Sequence, residues 1–211
     1  MSGRPINTIH ALRASACMLF GKSGYLGSRG WFRTLLTRSS VDERGEPIPW
    51  ITYPCLRFLE SRLTRDMCLF EFGAGSSTLW WSKAVRRVVS CEHDRAWFDQ
   101  IRSRIPANVE LVHASREDHQ YSNKVLEYVN EFDIVVIDGR DRVRCAQNAI
   151  NALKPSGVIV WDNADRAEYQ PGFEFLAGHG YRRIDFFGMA PIVPFESSTA
   201  VLYRDDNCLG L

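Results

Sequence analysis

The sequence predicts an α/β fold in which a mostly parallel sheet of seven strands has helices on both faces and ends in an antiparallel hairpin. From residue 50 onward, short apolar runs alternate with segments of helical periodicity, as parallel strands joined by crossover helices require. The last two apolar runs have no helical segment between them, so we expect them to pair antiparallel.

Each element follows from a local pattern. Strands are predicted where apolar residues run together, at 67–72, 87–92, 109–114, 132–139, 157–163, 181–188 and 197–204. Helices are predicted at 54–63, 76–85, 94–105, 123–131, 143–157 and 166–177. Pro54 suits a first helical position, Asp94 is an N-cap residue, and Pro155 with Gly157 should stop the fifth helix.

The chain is expected to form one domain, residues 49–211, after a basic and irregular lead-in, residues 1–48. Residues 1–41 contain no acidic side chain but six basic ones: Arg4, Arg13, Lys22, Arg29, Arg33 and Arg38. Such a segment can touch an anionic surface, act as a targeting signal or be a solvated tail, and the sequence leaves these alternatives open.

Composition excludes several classes of protein. The formal net charge of +1 gives no global attraction to nucleic acid, and no apolar run approaches the ~20 residues of a membrane span. The six cysteines contain no C-x-x-C pair, which argues against a zinc site and fits reduced thiols. Because 14–20 is the one short apolar stretch near the start and no cleavage site follows it, we expect a cytoplasmic protein.

The segment "EFGAGSST", residues 71–78, follows the first predicted strand of the sheet, where open α/β sheets bind their ligands. Thr78 stands where a dinucleotide fingerprint needs its third glycine, so binding of a phosphate is weakly supported. Glu71 would repel pyrophosphate and would suit a ligand with a positive charge. Glu92 ends the second strand and can accept both hydroxyls of a ribose. Both carboxylates fit S-adenosylmethionine, which has no phosphate and is cationic.

These segments resemble the class I S-adenosylmethionine-dependent methyltransferases. "EFGAGSST" looks like their first motif, "SCEHD" like the acidic end of their second strand, and the terminal hairpin like theirs, over roughly residues 50 to 204. Together with "PWITYP", "VIDGRDR" and "VWDNADR", they also resemble a group of small bacterial methyltransferase-like proteins. The resemblance implies a Rossmann-like class I fold and S-adenosylmethionine as cofactor, bound by Glu71, Gly73, Ala74, Gly75, Ser76, Ser77, Glu92 and His93.

Carboxylates also end the fourth and fifth predicted strands, at Asp138 and at Asp162-Asn163. Two carboxylates and an amide oxygen form a set of ligands suited to Mg²⁺. The set is similar to that of the metal-dependent catechol and caffeoyl-coenzyme A O-methyltransferases, except that Asp141 replaces their lysine. Alternatively, Asp138 only hydrogen-bonds the cofactor or substrate, and the Asp-Asn pair caps the following helix.

The residues therefore predict a methyltransferase acting on an oxygen of a small anionic or sugar-like molecule, with Mg²⁺ as an optional aid. Asp138, Asp141 and Arg142 are the candidate catalytic residues, and Arg140, Arg142 and Arg144 either bind an anionic group or pair with neighbouring aspartates. Nucleic-acid bases are disfavoured as substrates because no N-P-P-[FY] run is present, and a homodimer is compatible with the sequence. The competing hypotheses are a nicotinamide-dependent oxidoreductase and a non-catalytic methyltransferase-like binding module.

Overall fold

The computed structural model describes residues 8–20 and 24–211. It confirms the predicted fold: one seven-stranded sheet in the order β3-β2-β1-β4-β5-β7-β6. The strands are β1 (Cys68–Phe72), β2 (Arg87–Glu92), β3 (Val109–His113), β4 (Phe132–Ile137), β5 (Leu153–Asp162), β6 (Arg182–Met189) and β7 (Glu196–Tyr203). Strands β1 to β5 are parallel, and β7 inserts antiparallel between β5 and β6. The order reverses at β1, so the ends of β1, β2 and β4 form the predicted ligand edge.

The α-helices of the described residues precede the sheet or connect its strands. They are α1 (Thr8–Phe20), α2 (Tyr25–Ser28), α3 (Trp31–Thr37), α4 (Tyr53–Glu60), α5 (Ser76–Ala84), α6 (Arg95–Ile101), α7 (Gln120–Asn123), α8 (Arg142–Ala152) and α9 (Gln170–Gly178). Short 3₁₀ segments lie at Arg102–Arg104, Glu117–His119, Lys124–Glu127 and Ala167–Tyr169. None of the helices described here is both long and apolar enough to cross a membrane.

Two apolar clusters cover the two faces of the sheet. On one face, Phe70 and Phe72 of β1 pack with Tyr121 and with the alanine-rich side of α8. On the other face, Leu69 of β1 packs with Trp81 of α5 and with residues of α4. The central strand β4 is buried along its whole length, which explains its uninterrupted apolar sequence.

The lead-in packs against this second face. Where an irregular segment was predicted, residues 24–48 form α2, α3 and a short bridge between Val41 and Pro47. Trp31 and Ile48 are buried in the same cluster as the core residues of α4. The helices form because "WFRTLLT" places Trp31 and Thr34 on one buried side. The domain boundary at residue 48 remains a prediction, and residues 1–7 and 21–23 of the lead-in lie outside the described residues.

Two predicted helices have different ends in the structure. The helix predicted over 143–157 stops at Ala152, because Leu153 already pairs with Phe132 and begins β5. The helix predicted over 123–131 is a four-residue α-helix from Gln120 followed by a 3₁₀ segment. Tyr121 and Val125 there point into the core, so burial decides the shape of this segment.

Candidate functional site

The glycine loop, residues 73–75, joins β1 to α5, and its two glycines have different surroundings. Gly73 has a φ of 96°, and a Cβ atom at this position would lie 3.1 Å from the Cα atom of Gly139. Gly75 has an extended φ of 177°, and a Cβ atom there would have no neighbour within 4 Å. Gly73 is thus required by backbone conformation and packing, whereas Gly75 borders open space. The amides of Ser76 and Ser77 begin α5 and, like the first N–H groups of any helix, have no partner within it.

Glu71 lies beneath the glycine loop, which corrects the prediction that it points toward a ligand. Its side chain is fully buried, and its carboxylate accepts hydrogen bonds from the protein. One oxygen accepts from the hydroxyls of Thr78, at 2.5 Å, and Ser90, at 2.7 Å, and the other accepts from the indole of Trp81, at 2.9 Å. Burial raises the pKa of Glu71, and these hydrogen bonds partly offset the rise. Glu71 therefore supports the loop from below, and Thr78 passes that support on by accepting from the Gly75 amide at 2.9 Å.

Glu92, by contrast, reaches the loop from the end of β2. Its Oε2 atom accepts from the Ala74 amide at 3.1 Å, and its Oε1 atom accepts from the amides of His93 and Asp94, both at 2.8 Å. The Nδ1 atom of His93 lies 2.9 Å from Oε1 of Glu92. Oε2 of Glu92 receives one hydrogen bond from the described residues, and a carboxylate oxygen can accept more than one, so this oxygen keeps acceptor capacity for a ligand.

Two aromatic residues that the sequence analysis missed complete this end of the site. The indole N–H of Trp97 donates to the Ala74 carbonyl at 2.7 Å. Tyr121 packs its ring against His93, with centroids 5.4 Å apart, and its hydroxyl lies so close to Gly139 that a Cβ atom there would collide with it. Trp97 stands three residues after the N-cap Asp94, a weak signal, and no pattern in the sequence identifies Tyr121.

Asp138 and Asp162 follow the parallel neighbours β4 and β5, and Arg142 lies between them. The Nη2 atom of Arg142 donates to Oδ1 of Asp138 at 3.1 Å, and its Nε atom donates to the Gly139 carbonyl at 3.0 Å. Its Nη1 atom donates to the backbone carbonyl of Asp162 and lies 3.9 Å from the carboxylate of that residue. The Arg142 side chain is 8% exposed, so this cation is almost completely enclosed.

The surroundings of Asp138 and Asp162 raise the pKa of both carboxyls. The pKa of Asp138 is raised well above its usual range, first by burial and then by the charge of Asp162, against the opposing effect of Arg142. Burial also raises the pKa of Asp162, whereas Arg142 and the hydroxyl of Thr199 lower it.

The predicted Mg²⁺ site does not fit these residues. A divalent cation about 4 Å from the guanidinium of Arg142 would be repelled by roughly 8 kcal/mol at an effective dielectric constant of about 20. Oδ1 of Asp162 already accepts from Thr199 at 2.7 Å, and the amide of Asn163 faces Ser197 at 3.4 Å. Among the described residues, no group of three His, Cys, Asp or Glu side chains has the arrangement of a metal site.

The remaining candidates surround this pair. Asp141 caps α8 in a left-handed conformation, and its carboxylate lies 3.7 Å from His119 and 3.8 Å from Arg144. Arg140 is exposed at the end of the β4 loop, and within the described ranges its side chain has no ion pair. Arg142 therefore pairs with aspartates, one of the two predicted alternatives, while Arg140 remains available to an anion.

The proline-rich segment "PWITYP", residues 49–54, reaches the site through a chain of hydrogen bonds. The amide of Thr52 donates to the Thr199 hydroxyl at 3.0 Å, and that hydroxyl donates to Asp162. The Thr52 hydroxyl in turn donates to the Phe186 carbonyl at 2.9 Å. The proline-rich segment thus fixes one side of the site by way of β6 and β7.

Comparison with known proteins gives a family match over the parallel strands of the sheet. Residues 70–164, from the middle of β1 to just beyond β5, match the model of a family described as a methyltransferase domain. No curated protein matches the sequence.

Several solved structures share the fold. A precorrin-6y C5,15-methyltransferase from Geobacter metallireducens is 19% identical, with a TM-score of 0.60 over 79% of this chain and 98% of that one. A protein from Streptococcus mutans described as a candidate methyltransferase, solved in complex with SAH, is 10% identical, with a TM-score of 0.52 over 72% of this chain and 99% of that one.

A spermidine synthase from Thermotoga maritima is 16% identical, with a TM-score of 0.52 over 76% of this chain and 59% of the synthase. This chain therefore spans little more than half the length of the synthase. At such identities the likeness shows the shared fold alone, and any choice of activity must come from the side chains of the site.

Proposed function

We propose that this chain, whose residues 70–164 match a family model described as a methyltransferase domain, is a class I S-adenosylmethionine-dependent enzyme that methylates an oxygen of a small molecule. The observation that carries the proposal is the meeting of three features at one edge of the sheet. The glycine loop, the Glu92 carboxylate and the Asp138 carboxyl follow β1, β2 and β4, the strands at which the sheet order reverses.

The residues at this edge fit an adenosyl cofactor. Gly75 borders open space, so a ligand can approach the backbone closely there. Glu92 has acceptor capacity for ribose hydroxyls, and the first amides of α5 can receive a carboxylate. We do not propose that Glu71 contacts the cofactor directly, because its side chain is fully buried and its carboxylate accepts three hydrogen bonds from the protein. Its proposed role is to support the glycine loop. When bound, S-adenosylmethionine supplies a methyl group on a positively charged sulfur.

Asp138 is the proposed general base. Its Oδ1 atom is held by Arg142, its side chain is 22% exposed, and no hydrogen bond reaches its Oδ2 atom from the described residues. The raised pKa of Asp138 brings the carboxylate closer in basicity to a hydroxyl nucleophile. Asp138 takes the hydroxyl proton as the oxygen bonds to the methyl carbon and the carbon–sulfur bond breaks, and the proton then passes from Asp138 to solvent.

The proposed acceptor is a small anionic or sugar-like molecule. Arg140 supplies an exposed, unpaired positive charge two residues after the base. A carboxylate or phosphate on the acceptor would place its hydroxyl group near Asp138. Asp141 is kept as a proposed helper in orienting the acceptor, although it lies beside His119 and Arg144.

Calorimetry with S-adenosylmethionine tests the cofactor part of the proposal. We expect the wild type to bind it, and Glu92→Ala to weaken binding about tenfold or more, because an acceptor for two ribose hydroxyls is lost. Glu43→Ala, at an exposed position without a side-chain hydrogen bond among the described residues, is the matched control and should bind like the wild type.

Three other outcomes would contradict the proposal in different ways. Equal binding by Glu92→Ala and the wild type would remove Glu92 from the site. Quenching of NADH fluorescence on binding, with no heat from S-adenosylmethionine, would favour the nicotinamide-dependent oxidoreductase. Binding of S-adenosylmethionine without transfer to any hydroxylated acid or sugar tested would favour a non-catalytic binding module.

A further inference from the structure

The cluster of Asp138, Arg142 and Asp162 has the carboxylates of a metal site and an arginine where the metal would lie. We infer that the guanidinium of Arg142 does the work of a divalent cation here, holding the two carboxylates together, so that this chain acts without a metal ion. Arg142 is then a positioning residue that orients Asp138. Its catalytic consequence rests on the proposed function, whereas its consequence for metal binding does not.

The guanidinium of Arg142 is surrounded by oxygen atoms, as a metal ion in a protein site would be. Arg142 donates hydrogen bonds to three oxygens, Oδ1 of Asp138 and the carbonyls of Gly139 and Asp162, while its Nη1 atom lies 3.9 Å from Oδ2 of Asp162. Its planar fork of N–H donors suits this task, because it can bind several oxygens in a fixed geometry. The Tyr169 ring, 5.5 Å from the guanidinium carbon, packs against this cation.

Each of the predicted metal ligands forms a hydrogen bond with another group of the protein. Asp162 is 5% exposed and receives the Thr199 hydroxyl, so one of its oxygens faces the protein. Asn163, with a φ of 54°, directs its amide toward Ser197. No hydrogen bond from the described residues reaches Oδ2 of Asp138, and Oδ2 of Asp162 lies 3.9 Å from Nη1 of Arg142. Because the Asp138 side chain is 22% exposed and that of Asp162 only 6%, the proposed mechanism uses Oδ2 of Asp138.

Position in the chain explains why an arginine serves here. Arg142 is the first residue of α8, where a cation is opposed by the helix dipole. The carboxylates of Asp138 and of the buried Asp162, one strand apart, compensate for that opposition, and a positive charge beside them offsets the cost of removing them from water. A guanidinium fixed in the covalent chain supplies this charge at every metal concentration.

A titration of the cofactor-free protein with Mn²⁺ tests the part of the inference that concerns metal binding. Electron paramagnetic resonance of the free ion measures how much Mn²⁺ is bound. We expect no binding by the wild type or by Arg144→Met, a control on the same helix whose side chain is 45% exposed. Arg142→Met leaves two carboxylates without their cation and should gain a site for Mn²⁺. Stoichiometric Mn²⁺ on the wild type, abolished by Asp162→Asn, would overturn the inference.

Methyl transfer tests the positioning part, and it depends on the proposed function. Wild-type turnover should be equal in EDTA and in excess Mg²⁺. Arg142→Ala should lower kcat by about a hundredfold, the range found when a general base is misplaced, while the Kd for S-adenosylmethionine changes less than about twofold. Arg142→Lys, or guanidinium ion added to Arg142→Ala, should restore part of kcat.

The outcomes separate the two hypotheses. A protein that neither binds S-adenosylmethionine nor transfers a methyl group would end the proposed function, and the Mn²⁺ experiment would still decide the inference. Turnover that stops in EDTA and returns with Mg²⁺ would end the inference and leave the methyltransferase standing. If Arg142→Met fails to fold, the wild-type titration and the EDTA experiment still decide the result.

Discussion

The Asp138 carboxyl is partly buried beside a second carboxylate, and both effects raise its pKa above that of an unfolded aspartate. A carboxyl with a raised folded pKa binds its proton more tightly in the native state. It therefore contributes stability that is fully present below the unfolded pKa and is lost as the pH rises through the folded pKa. The base proposed for catalysis thus lowers the stability of the native protein at neutral pH.

We accordingly expect Asp138→Asn to be more stable than the wild type, by on the order of 1 kcal/mol at about pH 8 and by less at about pH 5. Asparagine can still accept from Arg142, but it carries no buried charge. Urea unfolding at both pH values measures the difference. Asp141→Asn, three residues further on and more exposed, is the control and should show no such dependence. If the stability gained by Asp138→Asn increased as the pH falls, the predicted direction of the pH dependence would be wrong.

The positions of the candidate residues in the sheet were more predictable from the sequence than the directions of their side chains. Asp138, Glu92 and the glycines could be predicted because each follows a strand at the ligand edge. The direction of Glu71 could not, since it depends on Ser90 of the neighbouring strand and on Trp81 one turn into α5. The place of Arg142 between two aspartates likewise depends on how α8 packs across β4 and β5.

The glycine loop is the element on which cofactor binding is proposed to rest, and its two glycines have different physical roles. Gly73 has the positive φ and the close contact with Gly139, so it is needed for folding. Gly75 has an ordinary extended φ and open space beside it, so it is needed only if something occupies that space. Substitution can separate these two needs.

We expect Gly73→Ala to lower the free energy of unfolding by about 1–2 kcal/mol, because alanine is strained at positive φ. Gly75→Ala should leave that free energy nearly unchanged and weaken the binding of S-adenosylmethionine by about tenfold, since its methyl group enters the proposed site. Urea unfolding and calorimetry measure the two quantities. Equal affinity in Gly75→Ala and the wild type would place the cofactor elsewhere.

Element boundaries were predictable where a local signal coincided with the tertiary contacts. The start of α5 at Ser76 and the whole of β2 were predicted at their observed bounds, because glycine and apolar runs mark them. The end of α8 was predicted five residues too late, from Pro155 and Gly157. Pairing of Leu153 with Phe132 ends this helix earlier, and no local pattern reports a pairing across twenty residues.

In the molecule as a whole, residues of the lead-in pack against the second face of the sheet. Trp31 is 9% exposed in the cluster on the second face, and its indole donates to the Val193 carbonyl at 3.0 Å, in the loop between β6 and β7. Ile192 in that loop donates its amide to Thr34 at 2.8 Å. Helix α3 is therefore hydrogen-bonded to the loop between β6 and β7.

We expect Trp31→Ala to lower the free energy of unfolding by about 3 kcal/mol, the usual cost of truncating a buried aromatic side chain. Trp50→Ala, at a position 45% exposed, is the matched control and should cost less than about 1 kcal/mol. Urea unfolding followed by far-ultraviolet circular dichroism measures both. Equal costs would mean that the lead-in does not stabilise the domain.

The hydrogen-bonded chain from Thr52 through Thr199 to Asp162 joins residues 147 positions apart in its first link. During synthesis, every residue of the glycine loop leaves the ribosome long before Thr199 does. Asp162 can be oriented only after β7 has inserted between β5 and β6. A partly synthesised chain could therefore form the glycine loop before Thr199 holds Asp162, and pairing of the last strand completes the candidate site.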